Sequence, residues 1–112
     1  MANLGIRFMV HLLGTNGAWR PVDVPMAEYD KVRDNIERVL DLVFHCGQND
    51  FQPKMFPSVS CGDIIFVGNP VNVQDNQGEP WRVEFVGFRK LTRDEYDHFK
   101  SMSRYDYVGR YC

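Results

Sequence analysis

Ile6, Phe8, Val10 and Leu12 fall at every second position, whereas Tyr29, Val32, Ile36, Val39, Leu40 and Val43 recur at steps of three and four. The first spacing puts apolar side chains on one face of a strand, and the second puts them along one stripe of a helix. A chain of 112 residues has room for one domain. With both periods inside its first half, it must be a mixed α and β domain. Asn16-Gly17 follows the first run, and this dipeptide suits the positive φ values of a two-residue type I′ turn. The chain is therefore expected to return as an antiparallel partner over Ala18–Val24. Pro21 lacks an amide donor and marks that return strand as a sheet edge.

The amphipathic stripe predicts one helix over about Met26 to Cys46, with Pro25 at its start and Gly47 at its end. Gln48 to Ser60 has no period and reads as a loop, with Phe51, Met55 and Phe56 turned toward the core. Ile64 to Val67 reads as a strand. Gly68 to Pro80 reads as a long turn in which Val71 and Val73 extend that strand. Trp81 to Leu91 reads as a fourth strand, and its change of phase at Gly87 predicts a β-bulge. Thr92 and Glu95 have capping-box spacing and open a second helix over about Arg93 to Met102, with Tyr96 and Phe99 inward. Residues 103–112 show no period and read as a tail outside a domain spanning 1–102. The expected fold class is α+β: a four-stranded antiparallel sheet with two helices, in the order ββαββα.

Thirteen basic and fifteen acidic residues give a net charge of −2. That balance lacks the basic excess of a dedicated duplex binder and the strong acidity of a DNA mimic. Cys46, Cys61 and Cys112 are odd in number and widely spaced, which argues against a disulfide framework or a zinc site. The opening Met-Ala-Asn-Leu-Gly has no charged segment followed by an apolar run, and no stretch is long and apolar enough to span a bilayer. A cytoplasmic location with no membrane partner is the expectation.

Pro57-Ser58-Val59-Ser60-Cys61-Gly62-Asp63-Ile64-Ile65 resembles the S-x-S-x-G-D-[IV]-[IV] motif of small phage and plasmid accessory proteins, the YodL-like domains among them. Val86-Gly87-Phe88-Arg89-Lys90-Leu91 is similar to the second element of that family, a strand ending in Gly-Phe and an aliphatic residue. The matched part covers about residues 56 to 91. Cys61 stands where the family has valine, Pro57 where a basic residue is frequent, and the loop between the two elements is longer. The resemblance implies a mobile-element setting and a binding or modulating role; it implies no reaction. The same residues have a purely local use: Ser58 and Ser60 can bond to nearby backbone, Gly62 permits a positive φ, and Asp63 can accept from exposed amides.

Candidate chemistry is sparse, and no cofactor is expected. His45 and Cys46 are neighbours on a helix and point about 100° apart. His11 and His98 can meet Cys61 only through the fold. His11, His45 and His98 show no metal-ligand spacing, and Gly14-Thr15-Asn16-Gly17 is explained by the hairpin rather than by phosphate. Two surfaces invite partners. Arg104, Tyr105, Tyr107, Arg110 and Tyr111 interleave cations and aromatics, a composition suited to a protein pocket or to unstacked bases. Met9, His11 and Leu13 with Trp19 would make the hairpin's outward face unusually apolar, and that face or the edge strand could support a homodimer. The expected function is that of a non-enzymatic accessory protein that binds and modulates, by inhibition, a host or defence protein. The alternative is a small nucleic-acid-binding module using residues 103–112.

Overall fold

The computed structural model describes residues 5–48, 58–68 and 78–111. The expectations for Phe51, Met55, Phe56, Pro57, Val71 and Val73 lie outside the described residues, as does Cys112. Among the described residues, five strands and four helices follow in the order β1 (Gly5–His11), β2 (Trp19–Pro25), α1 (Met26–Val32), α2 (Ile36–Cys46), β3 (Ile64–Val67), β4 (Glu79–Val83), β5 (Phe88–Lys90), α3 (Arg93–Ser101) and α4 (Arg104–Tyr111). The strands form one antiparallel sheet in the order β2-β1-β3-β4-β5. The α+β class and the antiparallel sheet are as expected; the fifth strand and two further helices are corrections.

Alternation along the strands feeds two separate cores. Ile6, Phe8, Val10, Leu12, Val22, Val24 and Ile65 pack with Val39, Leu40 and Val43 of α2. Leu13, Ile64 and Phe66 project the other way and pack with Tyr96 and Phe99 of α3 and Tyr107 of α4. Helices thus cover both faces of the sheet.

The single helix expected over 26–46 is two helices. Asn35 adopts an extended backbone (φ −128°, ψ 107°), and its side-chain oxygen accepts from the amides of Glu37 and Arg38 at 3.1 and 3.3 Å. Asparagine competes well for such a cap, whereas the apolar stripe runs through the break without losing phase, so periodicity alone could not reveal it. Asn35→Ala is expected to cost about 1 kcal/mol, read as a lowered denaturation midpoint with unchanged m-value.

The strand expected over Trp81–Leu91 is a hairpin. Glu84 N–H donates to the Gly87 carbonyl at 3.0 Å, Val83 pairs with Phe88, and Gly87 has φ +82°. The glycine turns the chain back where a bulge would only have bent it. The first hairpin also differs from expectation, because its loop is longer than two residues. The Leu12 carbonyl accepts from the amides of Thr15, Asn16 and Gly17, and Gly17 alone among them has positive φ, +77°. The capping box at Thr92 and Glu95 forms, with both reciprocal bonds present.

β2 is the edge that Pro21 announced. Leu12 N–H donates to the Ala18 carbonyl, which sets the even-numbered residues of β2 toward β1 and the odd-numbered ones outward. Pro21 and Pro25 are both odd-numbered, so two of the outward positions have no amide to offer. This edge is poorly suited to the strand pairing expected for a homodimer. Arg20, by contrast, faces the core, buried, and its guanidinium donates to the Gly47 carbonyl at 3.1 Å at the C-terminal end of α2.

Candidate functional site

The nine residues expected to meet a partner do not share one surface. His11 and Leu13 are buried beneath α3 and α4, which cover the face expected to be outward, and Tyr107 is the buried side chain of α4 that packs there. Met9 and Trp19 are half-buried. Residues 103–112 show no period in the sequence and read as a tail, yet Ser103 accepts from the Asp106 amide at 3.1 Å and α4 follows. Tyr107 is fully buried, and its hydroxyl donates to the Gly62 carbonyl at 2.6 Å. Arg104, Tyr105 and Arg110 remain exposed on α4; the Arg104 guanidinium donates to the Thr15 carbonyl. The side chain of Tyr111 lies outside the described residues.

The Ser-Val-Ser-Cys-Gly-Asp segment forms a clasp over the first hairpin. Asp63 is fully buried; its Oδ1 accepts from the Gly14 amide at 2.9 Å and its Oδ2 from the Ser60 amide at 2.9 Å. The Thr15 hydroxyl donates to the same carboxyl group at 3.2 Å and lies 3.2 Å from the Ser60 hydroxyl. Gly62 takes φ +90°, a conformation open to glycine. The two turns approach so closely that a Cβ on Gly14 would stand 2.4 Å from the Cys61 carbonyl oxygen. Burial pushes the Asp63 carboxyl up to about 6, against four hydrogen-bond contributions that favour its charged form. Its oxygens are occupied by the chain's own donors, so this segment braces the fold.

His11 braces the loop from the other side. Gly17 offers only a carbonyl, 3.1 Å from Nε2, so that nitrogen carries the proton and donates. Nδ1 then accepts from the Tyr96 hydroxyl at 2.7 Å. The ring stacks on Trp19 with centroids 4.5 Å apart and planes 7° apart. Burial, foremost, lowers its pKa, which fits a neutral ring; burial likewise pushes Tyr96 up to about 12. Burial also raises the Cys46 thiol, leaving little thiolate for nucleophilic attack. Among the described residues, no cluster of His, Cys, Asp or Glu is placed to hold a metal, and no helix is long and apolar enough to cross a membrane.

The most exposed apolar pair sits elsewhere, at the tip of the β4–β5 hairpin. Phe85 is 94% and Val86 83% exposed. Gly87 and the Glu84–Gly87 bond fix the turn that presents them, and at its base the Glu84 carboxylate bridges Arg82 at 2.6 Å and Arg89 at 3.3 Å. Both side chains fall within the single strand that the sequence predicts over Trp81–Leu91. Their adjacency to a glycine in a run of alternating polarity is the available signal for a turn, whereas the phase change there reads equally as a bulge in one strand. Among the described residues, Tyr105 is the other large exposed aromatic, at 88%, beside a groove of about 420 Å³ between α4 and the first hairpin loop.

Comparison with protein-family models, curated proteins and solved structures returned no match.

Proposed function

We propose that this chain is a non-enzymatic accessory protein of the phage or plasmid type, which binds a host or defence protein in the cytoplasm and inhibits it by occlusion. The Phe85–Val86 tip carries this reading. Two adjacent large apolar side chains, almost wholly in water on a braced turn, have no use in either core. Such a pair loses little conformational entropy on docking and gains the area it buries. The motif resemblance at 56–91 supplies the mobile-element setting. A second reading, single-stranded nucleic acid along α4, keeps the exposed Arg104, Tyr105 and Arg110 but loses Tyr107 to the core.

The test compares the wild-type chain with a Phe85→Ser/Val86→Ser variant as bait in a bacterial lysate, followed by calorimetry with the purified captured protein. Both substitutions lie outside the cores, so the variant should unfold like the wild type. A stoichiometric partner whose affinity falls at least 100-fold in the variant is the expected result, since about 3 kcal/mol is typical of a binding hot spot. Equal affinity for both chains would overturn the role of the tip. Salt-sensitive oligonucleotide binding, lost on Arg104→Ala/Tyr105→Ala, would favour the second reading.

A further inference from the structure

Beside the exposed tip lies a cleft of about 160 Å³ whose lining includes Asp41 and Phe44 of α2, Val83 of β4, Phe85 of the tip and Phe88 of β5. Its size decides against a cofactor or metabolite, since pockets for such ligands begin near roughly 300 Å³. It matches a single side chain. Val83 is buried and Phe44 and Phe88 are half-buried, which makes an apolar and largely aromatic floor; Phe85 is the free wall. Two carboxylates stand by it. That of Glu84 is already held by Arg82 and Arg89. Asp41 is exposed, and no ion pair engages it among the described residues.

We infer that this cleft receives an arginine or lysine side chain from the protein partner. An aliphatic stem would lie on Val83, Phe44 and Phe88, the cationic head would meet Asp41, and the exposed ring of Phe85 would flank it. Aromatic faces attract cations, and a carboxylate at the rim adds charge and direction. An acidic or purely aliphatic side chain would leave Asp41 desolvated without compensation. The inference rests on the proposed binding role and narrows it: the partner presents a basic residue next to the apolar surface that receives Val86.

The full chain, uniformly labelled with ¹⁵N, can be titrated with the capped tripeptide Gly-Arg-Gly while amide shifts are followed. The same tripeptide with citrulline, a neutral isostere, serves as the control. Saturable shifts at Asp41, Phe44 and Phe88 are expected with arginine, and at least tenfold weaker binding with citrulline. Asp41→Asn, a change on the solvent side of α2, should weaken the arginine peptide about fivefold, and Phe85→Ala by a similar factor. Absence of localised shifts, or equal shifts from the two peptides, would overturn the inference. If the tip variant loses its partner while the arginine peptide fails to bind, the binding role stands and the cleft assignment falls. If the peptide binds but the tip variant keeps its partner, the cleft assignment stands and the role of the tip falls.

Discussion

Tyr107→Ala is expected to lower the free energy of unfolding by about 3–5 kcal/mol, the usual cost of deleting a large buried aromatic. The side chain is fully buried between Phe99, whose ring centroid is 5.4 Å away, and the turn at Gly62, which accepts its hydroxyl proton. Tyr107→Phe separates the two contributions. It keeps the ring and leaves the Gly62 carbonyl without that donor, so a loss of about 1–2 kcal/mol should remain. Urea denaturation of the three chains measures both. A Tyr107→Ala chain as stable as the wild type would mean that α4 contributes nothing to the second core. The same packing makes deletion of residues 103–112 a structural lesion, because it would uncover Leu13 and Phe99.

Asp63→Asn should produce the second large effect, and it depends on pH. The folded chain holds the Asp63 proton more tightly than the unfolded chain, with the carboxyl pushed up to about 6 from an ordinary value near 4. Stability from this source is therefore complete below about pH 4 and is lost as pH rises through about 6. The loss amounts to about 3 kcal/mol over that range. Asparagine does not titrate, so its chain should lack this fall. It also has one oxygen where aspartate has two, so either the Gly14 or the Ser60 amide meets an NH₂ group and loses its acceptor. A penalty of about 2–3 kcal/mol is expected at pH 4, shrinking toward neutrality. His11 acts in the opposite sense: its lowered pKa stabilises the fold above about 6.5 and withdraws that support as pH falls. Unfolding free energies measured between pH 4 and 8 for wild type and Asp63→Asn decide the matter. Parallel curves would show that Asp63 does not titrate with folding.

What the sequence disclosed, and what it withheld, follows from the range of the interactions involved. β1, the edge character of β2, the capping box and the inward Val39, Leu40 and Val43 of α2 are written in local spacing and in proline and threonine chemistry, and they could be read directly; Ile36, on the same stripe, is exposed. The break at Asn35 could not, because an N-cap interrupts hydrogen bonding without disturbing the apolar phase. α4 was hidden for another reason. Ser-Arg-Tyr-Asp-Tyr-Val-Gly-Arg has weak helical patterning, and its helix is held by Tyr107, Val108 and Arg104 against residues far earlier in the chain. The outward reading of His11 and Leu13 failed with it, since a strand's alternation names two faces but not what covers each. At the candidate site, Phe85 and Val86 resembled strand residues in every property except the glycine that follows them.

The two sides of the sheet depend on different stretches of the chain, and this sets an order on assembly during synthesis. The side under α1 and α2 draws most of its contacts from residues 6–46, so its hairpin and helices can associate as soon as they emerge, with Ile65 and Val83 completing it. The other side presents Leu13, Ile64 and Phe66 but gains its cover only when Tyr96, Phe99 and Tyr107 have been made. Once β4 has been made, a nascent chain therefore carries one finished surface and one bare one until α4 is free of the ribosome. Partly made chains expose that bare surface to chaperones and to one another, and slow translation through residues 91–107 would lengthen the interval.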